Sequence, residues 1–233
     1  MNIIHTQSGD QSARVTAGLL LDALKAKPDL LMGLATGGSA EGVYKEMVSA
    51  HRAGQADFSQ ARTVNLDEYI GCDDEHSYRR FMEDHLFSHV NLPKENITIA
   101  DRTADPDAEA ARLRAFFAEN RVDIQLLGLG PNGHVGFNEP ADALCPDVHA
   151  ETLTEATIAA NARYFASPDD VPRRAVTMGM GDILKARRIV LIVTGPAKRA
   201  ALAQLLAGDT VTTQNPGTFL LLHPDVTLVT DLT

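Results

Sequence analysis

Positive charge is what this chain is short of. Its 233 residues hold 21 Lys and Arg against 31 Asp and Glu, a formal net charge of -10. A phosphate backbone needs a basic face to meet it, so this balance argues against a nucleic-acid partner. It also makes local cations informative, because an anionic small molecule approaching so acidic a chain needs Arg or Lys placed for it. Cysteine is scarce too. Cys72 and Cys145 lie far apart and outside any CxxC spacing, which indicates neither a disulfide scaffold nor a zinc site. No apolar run approaches the ~20 residues of a membrane span, and the opening Met-Asn-Ile-Ile-His-Thr-Gln lacks a signal-peptide layout. The expectation is a cytoplasmic protein without membrane contact. No internal repeat, low-complexity tract or break in composition divides the chain, so 1–233 reads as one domain.

What is present is an ordinary soluble composition, 44% hydrophobic and 22% charged, arranged as strands alternating with helices. Strand-length apolar runs fall at 2–5, 30–35, 62–66, 97–99, 123–127, 175–178, 189–194 and 226–229. Helical patterns occupy 12–25, 40–49, 77–90, 105–120, 156–164 and 196–206. Residues 169–172 read as a linker or loop. Alternation of this kind predicts an α/β fold, an open and mainly parallel sheet covered by helices on both faces.

The stretch around which the chain is organised runs from Leu126 to Pro140, Leu-Leu-Gly-Leu-Gly-Pro-Asn-Gly-His-Val-Gly-Phe-Asn-Glu-Pro. A strand feeding a glycine-rich turn that carries polar side chains is how an α/β sheet presents chemistry at the carboxyl ends of its strands. His134 is the group suited to titrate near neutral pH, and Glu139 is close enough in sequence to orient it and favour its protonated form. Gly128, Gly130 and Gly133 match the spacing of a dinucleotide fingerprint. The continuation His-Val-Gly-Phe-Asn-Glu-Pro opens no helix and rejects that reading.

Three further places carry candidate chemistry. Thr36-Gly37-Gly38-Ser39 stands between a strand and a helix start, where backbone N–H groups cradle a phosphate; no Gly-Lys-[Ser/Thr] follows, so it is not a Walker loop. Asp67-Glu68-Tyr69 closes the 62–66 strand with two carboxylates placed for proton transfer, or else for capping a helix. Thr194-Gly195-Pro196-Ala197-Lys198-Arg199 puts two cations in a first helical turn, where the macrodipole disfavours them. An anion at that helix start would explain the placement. His76, His85 and His89 sit among acids; HExxH is absent, and they read as surface histidines.

Taken together these stretches resemble the glucosamine-6-phosphate deaminase (isomerase) family. The resemblance is carried by Leu34-Ala-Thr-Gly-Gly-Ser39, Val64-Asn-Leu-Asp-Glu-Tyr69, Leu127 to Pro140, Asn161-Ala-Arg-Tyr-Phe165, Val171-Pro172 with Ala175 to Gly179, and Leu221-Leu-His-Pro224 with Val229. It implies an open α/β sheet related to ribose-5-phosphate isomerase, and conversion of glucosamine 6-phosphate to fructose 6-phosphate and ammonia in amino sugar catabolism. It also implies that no metal or redox cofactor is required. By the same resemblance Asp67 is the base that moves a proton from C2 towards C1 of the open-chain sugar. His134, supported by Glu139 and Asn132, opens the ring, and Thr36, Gly37, Gly38, Ser39, Arg163 and Lys198 hold the phosphate. Longer members carry Asp in place of Asn132, whereas shorter ones resemble this chain. The chain also ends without the longer members' C-terminal extension, which implies no activation by an N-acetylated sugar phosphate. Oligomeric state stays open.

Two neighbouring activities remain beside this one. The 6-phosphogluconolactonases look similar in fold and phosphate loop, but typically show Arg after the Asp-Glu pair and Thr after the Gly-His, where this chain has Tyr69 and Val135. A galactosamine-6-phosphate enzyme differs only in the C4 epimer it accepts. A non-catalytic sugar-phosphate sensor would need a DNA-binding segment, and no basic helix-turn-helix precedes Asn2.

Overall fold

A computed structural model of the chain describes residues 1–153, 155–162, 165, 167 and 170–232, with only the backbone at 156, 160 and 161. Seven strands form one parallel sheet: β1 (Asn2–His5), β2 (Leu31–Leu34), β3 (Arg62–Asn65), β5 (Ile97–Thr98), β6 (Ile124–Gly128), β9 (Arg188–Val193) and β10 (Val226–Thr230). Their spatial order is β1-β10-β9-β6-β2-β3-β5. Three more strands, β4 (Asp67–Ile70), β7 (His149–Thr152) and β8 (Arg174–Thr177), pair antiparallel in the order β4-β8-β7.

The large sheet is covered on both faces. Strands so placed read as continuous apolar runs instead of alternating ones, and β9 shows why. Ile189, Leu191 and Val193 of Arg-Ile-Val-Leu-Ile-Val pack into one apolar layer, Val190 and Ile192 into the opposite one. One layer lies under α1 (Gly9–Ala26) and α2 (Gly38–Arg52), the other under α4 (Pro106–Glu119), α6 (Met180–Leu184) and α7 (Arg199–Ala207). Helix α1 begins where Ser8 accepts from the Gln11 amide, and it buries Ala13, Ala17, Leu20 and Leu24 at a helical spacing. Asp105 caps α4 in the same way ahead of Pro106 at the first turn.

The connections decide where chemistry can sit. From β2 the chain moves outward through β3 to β5, then returns to β6 on the other side of β2 and proceeds through β9 to β10. The direction of winding reverses between β2 and β6. Loops leaving the carboxyl ends of those two strands diverge there and leave a crevice, the usual ligand position in an open α/β sheet.

The second sheet departs from the sequence expectation. Asp67-Glu68-Tyr69 was expected to close the 62–66 strand; instead Asp67 opens β4. Leu66 still donates to Leu34 of the parallel sheet, and its carbonyl accepts from Met178 beyond β8. One residue later Asp67 pairs with Thr177. Neither β4 nor β7 (His-Ala-Glu-Thr) alternates apolar with polar residues; both are held by pairing with β8, and β4 adds Tyr69 and Ile70 to the apolar packing. Two helices also differ. The 77–90 pattern is α3 (Tyr78–His85) followed by a 3₁₀ turn, Phe87–His89. The 196–206 pattern is a 3₁₀ turn, Pro196–Lys198, running into α7. The 156–164 pattern is α5 (Glu155–Asn161), with residues 163 and 164 outside the described part.

Candidate active site

The crevice is a cleft of about 900 Å³. Thr36, Gly37, Gly38, Ser39, Asp67, Asn132, His134, Glu139 and Lys198 all line it, although the sequence spreads them over more than 160 positions. Arg163 lies outside the described residues.

Asp67 owes its place to the hinge between the two sheets. It is 9% exposed, and burial pushes its carboxyl up to about 8, helped by the charge of Glu68 next door. Glu68 points the other way, as successive residues of a strand must. Its Oε1 accepts from the Tyr69 and Tyr78 amides at 2.9 and 2.8 Å, and its Oε2 from the Arg79 amide at 2.8 Å. Glu68 therefore caps the first turn of α3 from a neighbouring strand, the structural alternative already contained in an Asp-Glu pair. Burial raises this carboxyl also, to about 7, while the three amides and Arg102 hold it back. Two carboxyls so close titrate as a pair, each raised by burial.

The loop after β6 is built around its own side chains. Glu139 Oε1 lies 3.1 Å from His134 Nδ1, an ion-pair distance whose angle falls short of a well-aligned hydrogen bond. Asn132 Nδ2 donates to Glu139 Oε2 at 2.7 Å, and Asn132 Oδ1 accepts from the His134 amide at 3.2 Å. Thr157 of α5 donates to Glu139 Oε1 at 3.1 Å. Burial works against ionisation of Glu139, but His134, Asn132 and Thr157 outweigh it and hold the carboxyl below the usual range. Two glycines make this packing possible. A β-carbon on Gly130 would stand 2.4 Å from the His134 ring, and one on Gly136 (φ +59°) would stand 3.2 Å from Asp67 Oδ2. The imidazole and the carboxylate are thus fitted against the same loop.

At the far side the turns after β2 and β9 meet. Ser39 Oγ lies 3.1 Å from Thr194 Oγ1, and Lys198 Nζ donates to Ser39 Oγ at 3.2 Å. Burial lowers the pKa of Lys198, as expected of an ammonium drawn into a cleft. The Tyr44 hydroxyl of α2 donates to the Ala35 carbonyl and pins the chain just before this turn.

Several lining residues escape a reading by motif. His76 and His85, expected as surface histidines, both line the cleft, and the His76 ring stacks on Phe165 at 4.5 Å. Tyr78 packs against Tyr69 and Phe137, and its hydroxyl meets Tyr69 and Thr36. Their signal in the sequence was weak because no glycine-rich turn or strand end marks them: Tyr78 and His85 reach the cleft from α3, and His76 from the loop before it. Among the described residues no cluster of three or more His, Cys, Asp or Glu stands ready to hold a metal.

Comparison with known proteins places this arrangement. The family described as glucosamine-6-phosphate isomerases/6-phosphogluconolactonase matches residues 6–228. A glucosamine-6-phosphate deaminase of Clostridium perfringens is 42% identical over 99% of this chain and 97% of its own length. One from Thermoanaerobacter pseudethanolicus is also 42% identical, over 99% of this chain and 92% of its own. The solved structure of a monomeric glucosamine-6-phosphate deaminase has a TM-score of 0.94 at 40% identity, covering 99% of this chain and 97% of that one. The 6-phosphogluconolactonase of Trypanosoma cruzi shares the fold, with a TM-score of 0.78 at 21% identity over 98% and 93% of the two chains. Matching the family model over nearly its whole length, and carrying the motifs on one cleft, the chain belongs to the glucosamine-6-phosphate isomerase/6-phosphogluconolactonase family.

Proposed function

We propose that this protein is a glucosamine-6-phosphate deaminase, converting glucosamine 6-phosphate and water to fructose 6-phosphate and ammonia in amino sugar catabolism. One observation carries the reading. Asp67 and the His134–Glu139 pair open onto the same cleft as Ser39 and Lys198, so an acid–base pair and an anion-holding corner address one ligand. Relatives of that name at 42% identity support it.

The phosphate lies at the corner made by Thr36, Gly37, Gly38, Ser39 and Lys198. There the free amides at the start of α2 face it and Lys198 supplies the positive charge. Arg163 is proposed as a second cation on the strength of the sequence motif alone. Fixing this end orients the sugar so that C1 and C2 reach the acid–base groups.

His134 exchanges the proton that moves between the C1 hydroxyl and the ring oxygen as the ring opens. Glu139 orients the imidazole from 3.1 Å, and Asn132 holds the carboxylate and the loop in place. Asp67, ionised, takes the C2 proton of the open-chain amino aldehyde to give an enolamine. Returning that proton to C1 leaves an imine at C2, and water replaces its nitrogen to give the ketone and ammonia. A base so placed contributes roughly 10²–10⁴-fold. The net reaction consumes one water, and since phosphorylated sugars do not diffuse through membranes, the reading puts it in the cytoplasm.

Ammonia release from glucosamine 6-phosphate is the deciding assay. Galactosamine 6-phosphate and 6-phosphogluconolactone serve as alternative substrates. Asp67→Asn is expected to lower kcat by roughly 10²–10⁴-fold with KM little changed. Turnover of the lactone with no ammonia from either amino sugar would overturn the reading, and near-full activity of Asp67→Asn would remove Asp67 from its role.

A further inference from the structure

One acidic side chain reaches the anion corner without belonging to any of its motifs. Asp231 follows directly on β10, the neighbour of β9 in the sheet, so it emerges beside the Thr194–Gly195 turn. Its Oδ1 accepts from the Gly195 amide at 3.2 Å. Its Oδ2 faces the start of α1, 3.8 Å from where a β-carbon on Gly9 would stand. Gly195 has φ +87°, a conformation that other residues seldom take, so the turn depends on a glycine here and on whatever holds its amide. Three residues further on, Lys198 reaches into the cleft to Ser39.

Lys198 is half-buried and cationic, and an ammonium drawn partly out of water is favoured by an opposing charge nearby. Burial lowers its proton affinity, and the charge of Asp231 acts against that effect. Ser39, to which its ammonium donates, and Thr194, which meets Ser39, are neutral hydroxyls. One carboxylate therefore serves two ends of the same short segment. Through its hydrogen bond it sets the direction of the turn that launches residues 196–198. Through its charge it favours a protonated lysine at the end of that segment in the unliganded protein.

We propose that Asp231 is a positioning residue for the phosphate corner, holding the Gly195 turn and the Lys198 ammonium in the arrangement that receives the substrate's phosphate. This rests on the sugar-phosphate reading above for the identity of the ligand. It adds a residue that lies outside the matched motifs and that touches no substrate itself. Because it acts on binding, its loss falls on affinity and not on the proton transfers at Asp67 and His134.

The test uses the whole chain and two variants, Asp231→Ala and Asp231→Asn. Two readouts are taken: titration with inorganic phosphate by calorimetry, and steady-state ammonia release from glucosamine 6-phosphate. For Asp231→Ala the phosphate Kd and the KM are both expected to rise about tenfold, which corresponds to ~1.4 kcal/mol, while kcat stays within about threefold. Asp231→Asn keeps an oxygen for the Gly195 amide but drops the charge, so its rise is smaller than that of the alanine variant. It also keeps the shape of the side chain should Asp231→Ala fail to fold. A phosphate Kd within about twofold of the parent's for the variants that fold overturns the proposal, whatever happens to kcat. The phosphate titration needs no turnover. If the parent releases no ammonia, the proposed reaction fails while the part played by Asp231 is still read from phosphate binding.

Discussion

Asp67 and Glu68 are neighbours in sequence with opposite tasks, and their environments make pH the way to separate them. Asp67 holds its proton up to about 8, against an ordinary value near 4 when unfolded. Between those two values the native chain binds a proton that the unfolded chain has released, so stability falls as pH rises from about 4 to about 8. Below that window both states are protonated, and above it both are ionised. Asp67→Asn removes this burden. Its Tm should exceed the parent's by more at pH 8 than at pH 5, by several degrees if the burden is on the order of 1–2 kcal/mol. Thermal unfolding at the two pH values checks it, and an equal gap at both would contradict it. The base works only when ionised, so kcat/KM is expected to climb from the acid side towards pH 8. Glu68 contributes to that position through its charge. Glu68→Gln should move the acid limb to lower pH, while costing about 1–3 kcal/mol because the Arg79 amide loses its acceptor. A pH–rate profile with an unmoved limb would show that burial alone sets the proton affinity of Asp67.

Among elements, the loop between β6 and β7 is the one whose sequence and geometry correspond most closely. Gly130 exists to leave room for the His134 ring, since a methyl group there would stand 2.4 Å away. Gly130→Ala should displace the imidazole and lower kcat about 10- to 100-fold, while phosphate affinity, determined at the opposite corner, stays near the parent's. Loss of phosphate binding in that variant would mean that the loop supports the whole cleft. This loop was legible because a glycine-rich turn after an apolar strand is a local signal. The parallel strands were legible for a similar reason: Leu-Met-Gly-Leu in β2 and Arg-Ile-Val-Leu-Ile-Val in β9 are buried on both faces and read as uninterrupted apolar runs. The second sheet was not, because β4 and β7 are short and polar and are held by pairing with β8, from a distant part of the chain. Legibility of the site divides the same way. Asp67, His134, Glu139 and Lys198 stand in local motifs, whereas Tyr78, His76 and Asp231 arrive through tertiary packing and left no trace at short range.

For the molecule as a whole, the cleft draws on turns after β2, β3, β6 and β9, four neighbouring strands at the middle of the sheet that come from distant parts of the chain. An intermediate that has lost any of these four strands therefore has no complete site. In urea, ammonia release and the far-UV circular dichroism signal should disappear together, with coincident midpoints, as for a cooperative transition. Activity lost at clearly lower urea would point instead to local opening around the cleft. The order of strands across the sheet also has a bearing on biosynthesis. The edge strand β1, near the amino terminus, has β10, near the carboxyl terminus, as its neighbour in the sheet. During translation the Asn-Ile-Ile-His segment leaves the ribosome more than 200 residues ahead of its partner. At roughly 5–20 residues per second the delay is on the order of ten seconds or longer. Throughout that interval the nascent chain carries an unpaired extended segment with two isoleucines, a natural place for a chaperone to hold it.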